Sequence, residues 1–562
     1  MTLRKKSVLI LLIVLGLLLG GGFFKISPFL RETYLLSFLL QNNSGSVNDF
    51  LVKLDQNKIN LEQSANAEWL IKLSQIFPSL KNRLLLKQAV TVLKSNWPSF
   101  QKGLFILELF QEDREPLASL NNLKEALTFL ENYQPGFKTE LMSLSRLLSF
   151  LGADAPRHYL VIVQNTGVAR PTGGLITDYV LVEIDQGKIS MEGHDVNDLE
   201  DIFLQKIIPP VPLQTIANKW FFHDTNWFFD FPTTAKKIVD LYQATGAQPD
   251  LEGVIALNDS ALQQILAIIG PVELPSLNLI VGTQNFVTTF SCANTSRDIF
   301  PLFIKELSYK LQNLSQEQLS ELKELAVRLL ATKEIQLYAT DDTLEYYFDS
   351  FNWTGKVWES KGDYLAVVAN NLNKGCLLDR RPVLLALSSQ LSTSSITDIL
   401  TVTAEAKTRS ESSRETYLQI YLPPGITVIK ASGGYLKQVK GDWPYEKLGY
   451  QVDTDLASGE NRKISDEINQ VEIWEDNSKT IIATWTKLSQ QPFSLTYSLP
   501  FSLEEDALDW NLVVQKQSGQ EIRFSYELNL PPNKTLSPTL FEFKKFLLLT
   551  QDLNLTFKFN QN

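Results

Sequence analysis

Three groups of residues in this chain have types and spacings that could do chemistry. The first is Arg170-Pro171-Thr172-Gly173-Gly174, set between two apolar runs. Consecutive glycines let backbone N–H groups converge on an anion, and a guanidinium fork matches phosphate, so Arg170, Gly173 and Gly174 are candidate anion-binding residues. The same glycines would also serve a tight hairpin loop. The second group lies in "HDTNWFFDFPTTA", His223 to Ala235. Asp224, Asn226 and Asp230 offer hard oxygen ligands of the kind Mg²⁺ or Mn²⁺ takes. The spacing is not that of an EF-hand, because the twelfth position from Asp224 is Ala235 where a glutamate is needed. Asp230, followed by Pro232, also reads as a helix N-cap. The third group is Cys292 with Arg297 in "FSCANTSR" and His223 upstream, a nucleophilic set only if folding brings the three together.

Other chemistries are excluded at this level. There is no Gly-x-Ser-x-Gly elbow, no P-loop, no His-Glu-x-x-His and no Cys-x-x-Cys, and the chain has only three histidines. A net charge of −11 argues against nucleic acid as a partner. Cys292 and Cys376 are too few for a disulfide framework, and whether they pair stays open.

These residues must be held by elements, and the pattern of the chain predicts a multidomain α+β protein. Arg4-Lys5-Lys6 precede an uncharged run, Ser7 to Phe24, roughly 27 Å long as a helix and so enough to cross a bilayer. By the positive-inside bias the basic flank stays cytoplasmic and the rest of the chain lies outside a plasma membrane. A cleaved signal peptide is the alternative, though no Ala-x-Ala site follows. After this anchor (1–29), apolar residues at three- and four-residue spacings predict a helical membrane-proximal segment (30–155). From 156 to 382 the pattern is that of a central α/β sheet domain. It has strands at Tyr159–Val163, Tyr179–Ile184, Gly253–Leu257 and Ile335–Ala339. A helix over Ala261–Ile269 is capped by Asp259 or Ser260 and stopped by Gly270-Pro271, and Ser315-Gln316-Glu317-Gln318 is a capping box. Over 383–562 the period changes to two. Leu400, Val402 and Ala404 alternate with polar residues, as do Leu418, Ile420 and Leu422, which predicts an antiparallel β-sandwich with one wet face on each sheet.

Taken together, several stretches resemble a known family. "YLVIVQNTGVARPTGG" is similar to the signature of bacterial membrane proteins grouped as domain of unknown function 4012, and "DTNWFFDFP", "GVIALNDSALQQILAIIGPVELP" and "VVQKQSGQ" follow in that family's order. The family names no activity. The strand–helix–Gly-Pro-Val unit more remotely resembles the LytR–CpsA–Psr enzymes, which transfer glycopolymers from polyprenyl-phosphate carriers to the wall. That resemblance implies Arg170 on phosphate and Asp224 or Asp230 on a divalent metal. The sequence departs from the signature at Val168, where many members carry glutamate, and in the segment from Asn370 to Cys376. Two functions are therefore expected to compete. One is an extracytoplasmic envelope module binding a surface polymer or protein; the other is a metal-dependent phosphotransferase acting on lipid-linked glycan.

Overall fold

The computed structural model describes residues 150, 152 and 155–559, apart from 186–187, 203–205, 248, 291–297, 361, 374–380, 393, 406–413, 440–442, 501–508, 531–535 and 538–546. The anchor run from Ser7 to Phe24, the helical segment before residue 150, Cys292, Arg297 and Cys376 lie outside these residues. No helix among the described residues is long and apolar enough to cross a membrane. What is described is a mixed α/β protein with several sheets and more strand than helix.

A five-stranded sheet comes first, in the order β3-β2-β1-β4-β7. Its strands are β1 (Arg157–Arg170), β2 (Gly173–Asp185), β3 (Lys188–Asp195), β4 (Gly253–Asn258) and β7 (Ile335–Ala339), while β5 (Val272–Leu274) and β6 (Leu279–Val281) form a separate small hairpin. β1 runs parallel to β4, and β7 lies antiparallel on the far side of β4. The helices are α1 (Val196–Ile202), α2 (Phe231–Ala244), α3 (Asp259–Ile269), α4 (Phe286–Thr289), α5 (Ile299–Leu311), α6 (Gln316–Ala331), α7 (Asp342–Ser350) and α8 (Thr454–Glu460). Local sequence explains several of their ends. Asp230 accepts from the Thr233 N–H as the N-cap of α2. α3 stops at Gly270, whose φ of +80° suits glycine. Its N-cap is Asn258 rather than Asp259 or Ser260, because Asp259 is already helical and its carboxylate accepts from Thr166.

The described chain divides into two compact units. One comprises the described residues up to Arg157 and within Glu183–Ser190 and Leu311–Val327; the other comprises those within His158–Val182, Met191–Lys310 and Arg328–Asn562. In the first, the expected capping box is present: the Ser315 N–H donates to Gln318 Oε1 at 3.1 Å, and the Gln318 N–H donates to Ser315 Oγ at 3.2 Å.

The second unit contains both large sheets of the sandwich. β8 (Asp363–Asn370), β11 (Thr416–Leu422), β13 (Gly434–Tyr435), β14 (Ile464–Asp466), β15 (Val471–Asp476), β16 (Lys479–Thr486), β18 (Asp509–Gln515), β20 (Leu536–Ser537) and β22 (Leu553–Phe559) form one sheet. β9 (Val383–Leu391), β10 (Ser395–Ala404), β12 (Thr427–Ser432), β17 (Phe493–Pro500), β19 (Ile522–Asn529) and β21 (Leu547–Leu549) form the other. The sandwich is not purely antiparallel as expected, since β18 pairs with β8 and β19 with β9 in parallel. β8, from before residue 383, is a central strand of the nine-stranded sheet.

The two sheets close over one core that includes Leu365, Val367, Leu418, Ile420, Leu385, Leu387, Leu400 and Leu495. A second core covers the other face of the nine-stranded sheet, so the expected wet face of β11 is a correction. Tyr417, Gln419 and Tyr421 are buried. Tyr364, Tyr417, Tyr421 and Trp485 pack in the same cluster as Leu160, Ile162, Trp227, Phe229 and Ile238 of the α/β part. Trp227 stacks on Tyr417 with centroids 6.1 Å apart, and Phe229 meets Tyr421 at 5.1 Å. Each such aromatic contributes about 1.5–3 kcal/mol by leaving water. The apolar residues of "DTNWFFDFP" thus dock the α/β part on the sandwich.

Candidate functional site

The Arg-Pro-Thr-Gly-Gly segment is a hairpin connection. β1 ends at Arg170, β2 begins at Gly173, and Pro171-Thr172 make the turn between them. Gly173 has a φ of +148°, and a Cβ there would sit 2.4 Å from Asn258 Oδ1. A Cβ on Gly174 would sit 1.9 Å from the Asn165 carbonyl oxygen. Gly174 is therefore required by close backbone approach within the hairpin, and Gly173 by its positive φ and by the Asn258 and Gln164 side chains packed against it. The Gly174 carbonyl accepts a 2.7 Å bond from Asn226 Nδ2.

Arg170 is 2% exposed. Its Nε and Nη2 both donate to Asp224 Oδ1, at 2.8 and 2.7 Å, and Nη1 donates to the carbonyls of Ala169 and Asn371. The guanidinium fork is thus filled from within the protein, and its carboxylate partner is as buried as it is. On the other side Asp224 Oδ2 lies 3.4 Å from His223 Nε2, and His223 Nδ1 lies 3.3 Å from Glu200. Burial alone would raise the Asp224 pKa, yet Arg170 and His223 hold it well below the usual carboxylate range. Burial likewise works against a protonated His223, but Asp224 and Glu200 outweigh it and raise its pKa to about 9.

Each of the three oxygen-bearing candidates is engaged by protein partners. Asp224 faces Arg170 and His223. Asn226 donates to Gln164 Oε1 and Gly174 O, with its own Oδ1 unpartnered. Asp230 spends Oδ2 on capping α2 and Oδ1 on the Val357 N–H at 2.9 Å. Among the described residues no group of three or more His, Cys, Asp or Glu is placed to hold a metal ion. Arg170 and Asp224 are brought together; Asp230 is bonded elsewhere.

Residues that spacing did not single out complete the cluster. Gln164 donates to Thr172 O and Asn258 Oδ1 and accepts from Thr172 Oγ1 and Asn226. Asn258 Nδ2 donates to Ser518 Oγ and Glu334. Gln517 Nε2 donates to the Arg170 and Ala369 carbonyls, its Oε1 accepts from the Ala369 N–H, and Gln520 donates to Thr166 O. The turn between β18 and β19 is therefore tied to the β1–β2 hairpin. One signal was present: Gln164-Asn165-Thr166 is a polar triplet inside a buried strand, and buried amides need partners. Beside this network opens a small cleft of about 30 Å³, whose lining includes Ala169, Asn370, Asn371, Arg381, Thr416 and Gln520. Neither Arg170 nor Asp224 lines it.

A family model described as protein of unknown function (DUF4012) matches residues 154–292, which supports assignment to that family. The match covers the hairpin, the Asp224–Asp230 segment, α2 and α3. No curated protein and no solved structure matches the chain.

Proposed function

We propose that this chain is a single-pass, membrane-anchored protein of the cell envelope. Its N-terminal helix and helical segment hold the α/β and sandwich parts outside the membrane, as a module that binds a surface polymer or a partner protein. The observation that carries the reading is the saturation of the signature residues. Arg170 spends its fork on Asp224 and two carbonyls, and Asp230 spends both oxygens on backbone donors. Groups engaged in this way act as braces. The neighbouring cleft offers a single hydroxyl group of a surface polymer one unpartnered acceptor, Asn370 Oδ1, since the amide donors of Asn370 and Gln520 are already spent on Tyr417, Gln419 and Thr166.

Two measurements test this. Protease added to intact cells should digest the sandwich, and protection until lysis would remove the extracytoplasmic placement. The purified chain, titrated with a polyprenyl-pyrophosphate analogue with Mg²⁺ or with EDTA, should show no metal-dependent binding that Arg170→Lys abolishes. Metal-dependent binding lost in that variant would favour the phosphotransferase reading instead.

A further inference from the structure

The sandwich core holds a second polar cluster, far simpler in composition than the first. Alternation along each strand puts Asp363 on the core face of β8 with Leu365 and Val367, and Asp398 on the core face of β10 with Ile396 and Leu400. Asp398 pairs laterally with Ser389 of β9 and with Tyr497 of β17, so three polar residues stand side by side across one sheet. Asp363 enters from the facing sheet, where it pairs with Leu512 of β18. Tyr526 and Trp510 belong to the same core and meet each other and Phe557. Asp363, Asp398, Ser389 and Tyr497 are fully buried, and Tyr526 and Trp510 are nearly so.

No hydrogen-bond partner is present for six oxygens here: Asp363 Oδ2, both Asp398 oxygens, Ser389 Oγ, Tyr497 Oη and Tyr526 Oη; Trp510 Nε1 is also unpartnered. Ser389 and Tyr497 stand beside the Asp398 carboxylate, and Tyr526 stands beside Ser389, without completing bonds of good geometry. Among the described residues no lysine, arginine or histidine forms an ion pair with either aspartate. Two carboxylates in a hydrocarbon core without a cation are costly, and burial together with their mutual repulsion raises the pKa of Asp363.

We infer that this cluster is a binding site for a small hard cation, with calcium the best match, held between the two sheets by Asp363, Asp398, Ser389, Tyr497 and Tyr526. Oxygen donors alone select a hard ion. Calcium takes 6–8 oxygens in adaptable geometry, two carboxylates neutralise it, and Mg²⁺ demands a stricter octahedron. The ion would fasten β8 to β9, β10, β17 and β19, so the sandwich should be more stable with it bound. The inference is independent of the function proposed above, because none of these residues lies in the Arg170 network or the cleft.

The test uses the full chain purified in detergent. Calcium content is measured after dialysis, and the unfolding temperature is followed in EDTA, in CaCl₂ and in MgCl₂. The expected result is one calcium per chain and a transition several degrees higher in CaCl₂ than in EDTA, with little effect of MgCl₂. Asp398→Asn should abolish the calcium response. Tyr497→Phe keeps the ring packing and removes one oxygen, so it should weaken calcium binding roughly tenfold even if the aspartate variant fails to fold. A wild-type chain that takes up no calcium and unfolds identically in EDTA and CaCl₂ would overturn the inference, the aspartates then sharing a proton instead. An unchanged calcium midpoint in Tyr497→Phe would do the same.

Discussion

Among the described residues, the buried carboxylates around Arg170 and those in the sandwich core have environments that push them in opposite directions. Asp224 is 2% exposed and faces a guanidinium and an imidazole; its pKa is held well below the ordinary range. Asp363 and Asp398 are just as buried and face each other, two tyrosines and a serine; burial raises both, Asp398 to about 7. Burial is common to the two, so the partner decides the sign. The first cluster is a closed brace. The second leaves three of its four carboxylate oxygens without a hydrogen-bond partner. One strand joins them: β8 starts at Asp363 in the second cluster and ends at Asn370, beside the Asn371 carbonyl that receives Arg170.

Removing β8 should have the largest effect. A fragment beginning at residue 383 lacks Leu365, Val367 and Ala369 from the sandwich core, and it leaves β11 and β18 without the strand between them. It should show no cooperative unfolding by denaturant, whereas the whole chain should. A sharp transition in the fragment would mean that the nine-stranded sheet can close without its central strand.

Arg170→Met comes next, because it converts the first cluster into a likeness of the second. Asp224 would keep its burial and lose its main counter-charge, which costs about 3–5 kcal/mol when one partner of a buried pair is removed. Arg170→Met with Asp224→Leu should recover much of that loss, since both charges then leave the core together. Denaturant midpoints of the single and double variants provide the check. A single variant within 1 kcal/mol of wild type, on the scale of an exposed pair, would show that the brace carries no load.

The two clusters were unequally legible in the sequence. Local signals read well: β7 spans Ile335–Ala339 as its apolar run predicts, and Gly270 ends α3. Their causes lie within a few residues. The Arg170 network draws on Gln164, Asn226, Asn258, Asn371 and Gln517, whose bonds join residues far apart in the chain and leave no periodic trace. Arg170 and Asp224 were visible as residue types suited to anions and metals, but not as each other's partners. β11 misled for a related reason. Its tyrosines and Gln419 alternate with aliphatics as a wet face would, and only the packing of Trp227 and Phe229 makes that face a second core. Asp398 was the reverse case. It breaks an apolar alternation at a core position, and that interruption is a local signal of a polar cluster.

The smallest expected effect tunes the first cluster with pH. His223 is 29% exposed on its side chain, so water screens part of its interaction with Asp224 and Glu200. Its pKa is raised from 6.5 to about 9, so the folded chain binds that proton more tightly than the unfolded chain does. The stability this contributes is complete below pH 6.5 and fades as pH rises through 9. Asp224 behaves in the opposite sense: its contribution is complete above the ordinary carboxylate range and is lost only in strong acid, as pH falls through its lowered pKa. His223→Gln should therefore remove the alkaline slope and leave the acid limb, which Arg170 maintains, largely in place. Unfolding temperatures of wild type and His223→Gln, compared from pH 6 to pH 9.5, should differ most at the acid end and converge at the alkaline end. A gap that stays constant across the range would mean that His223 acts by packing on Phe221, with which it stacks at 5.0 Å, and not by its charge.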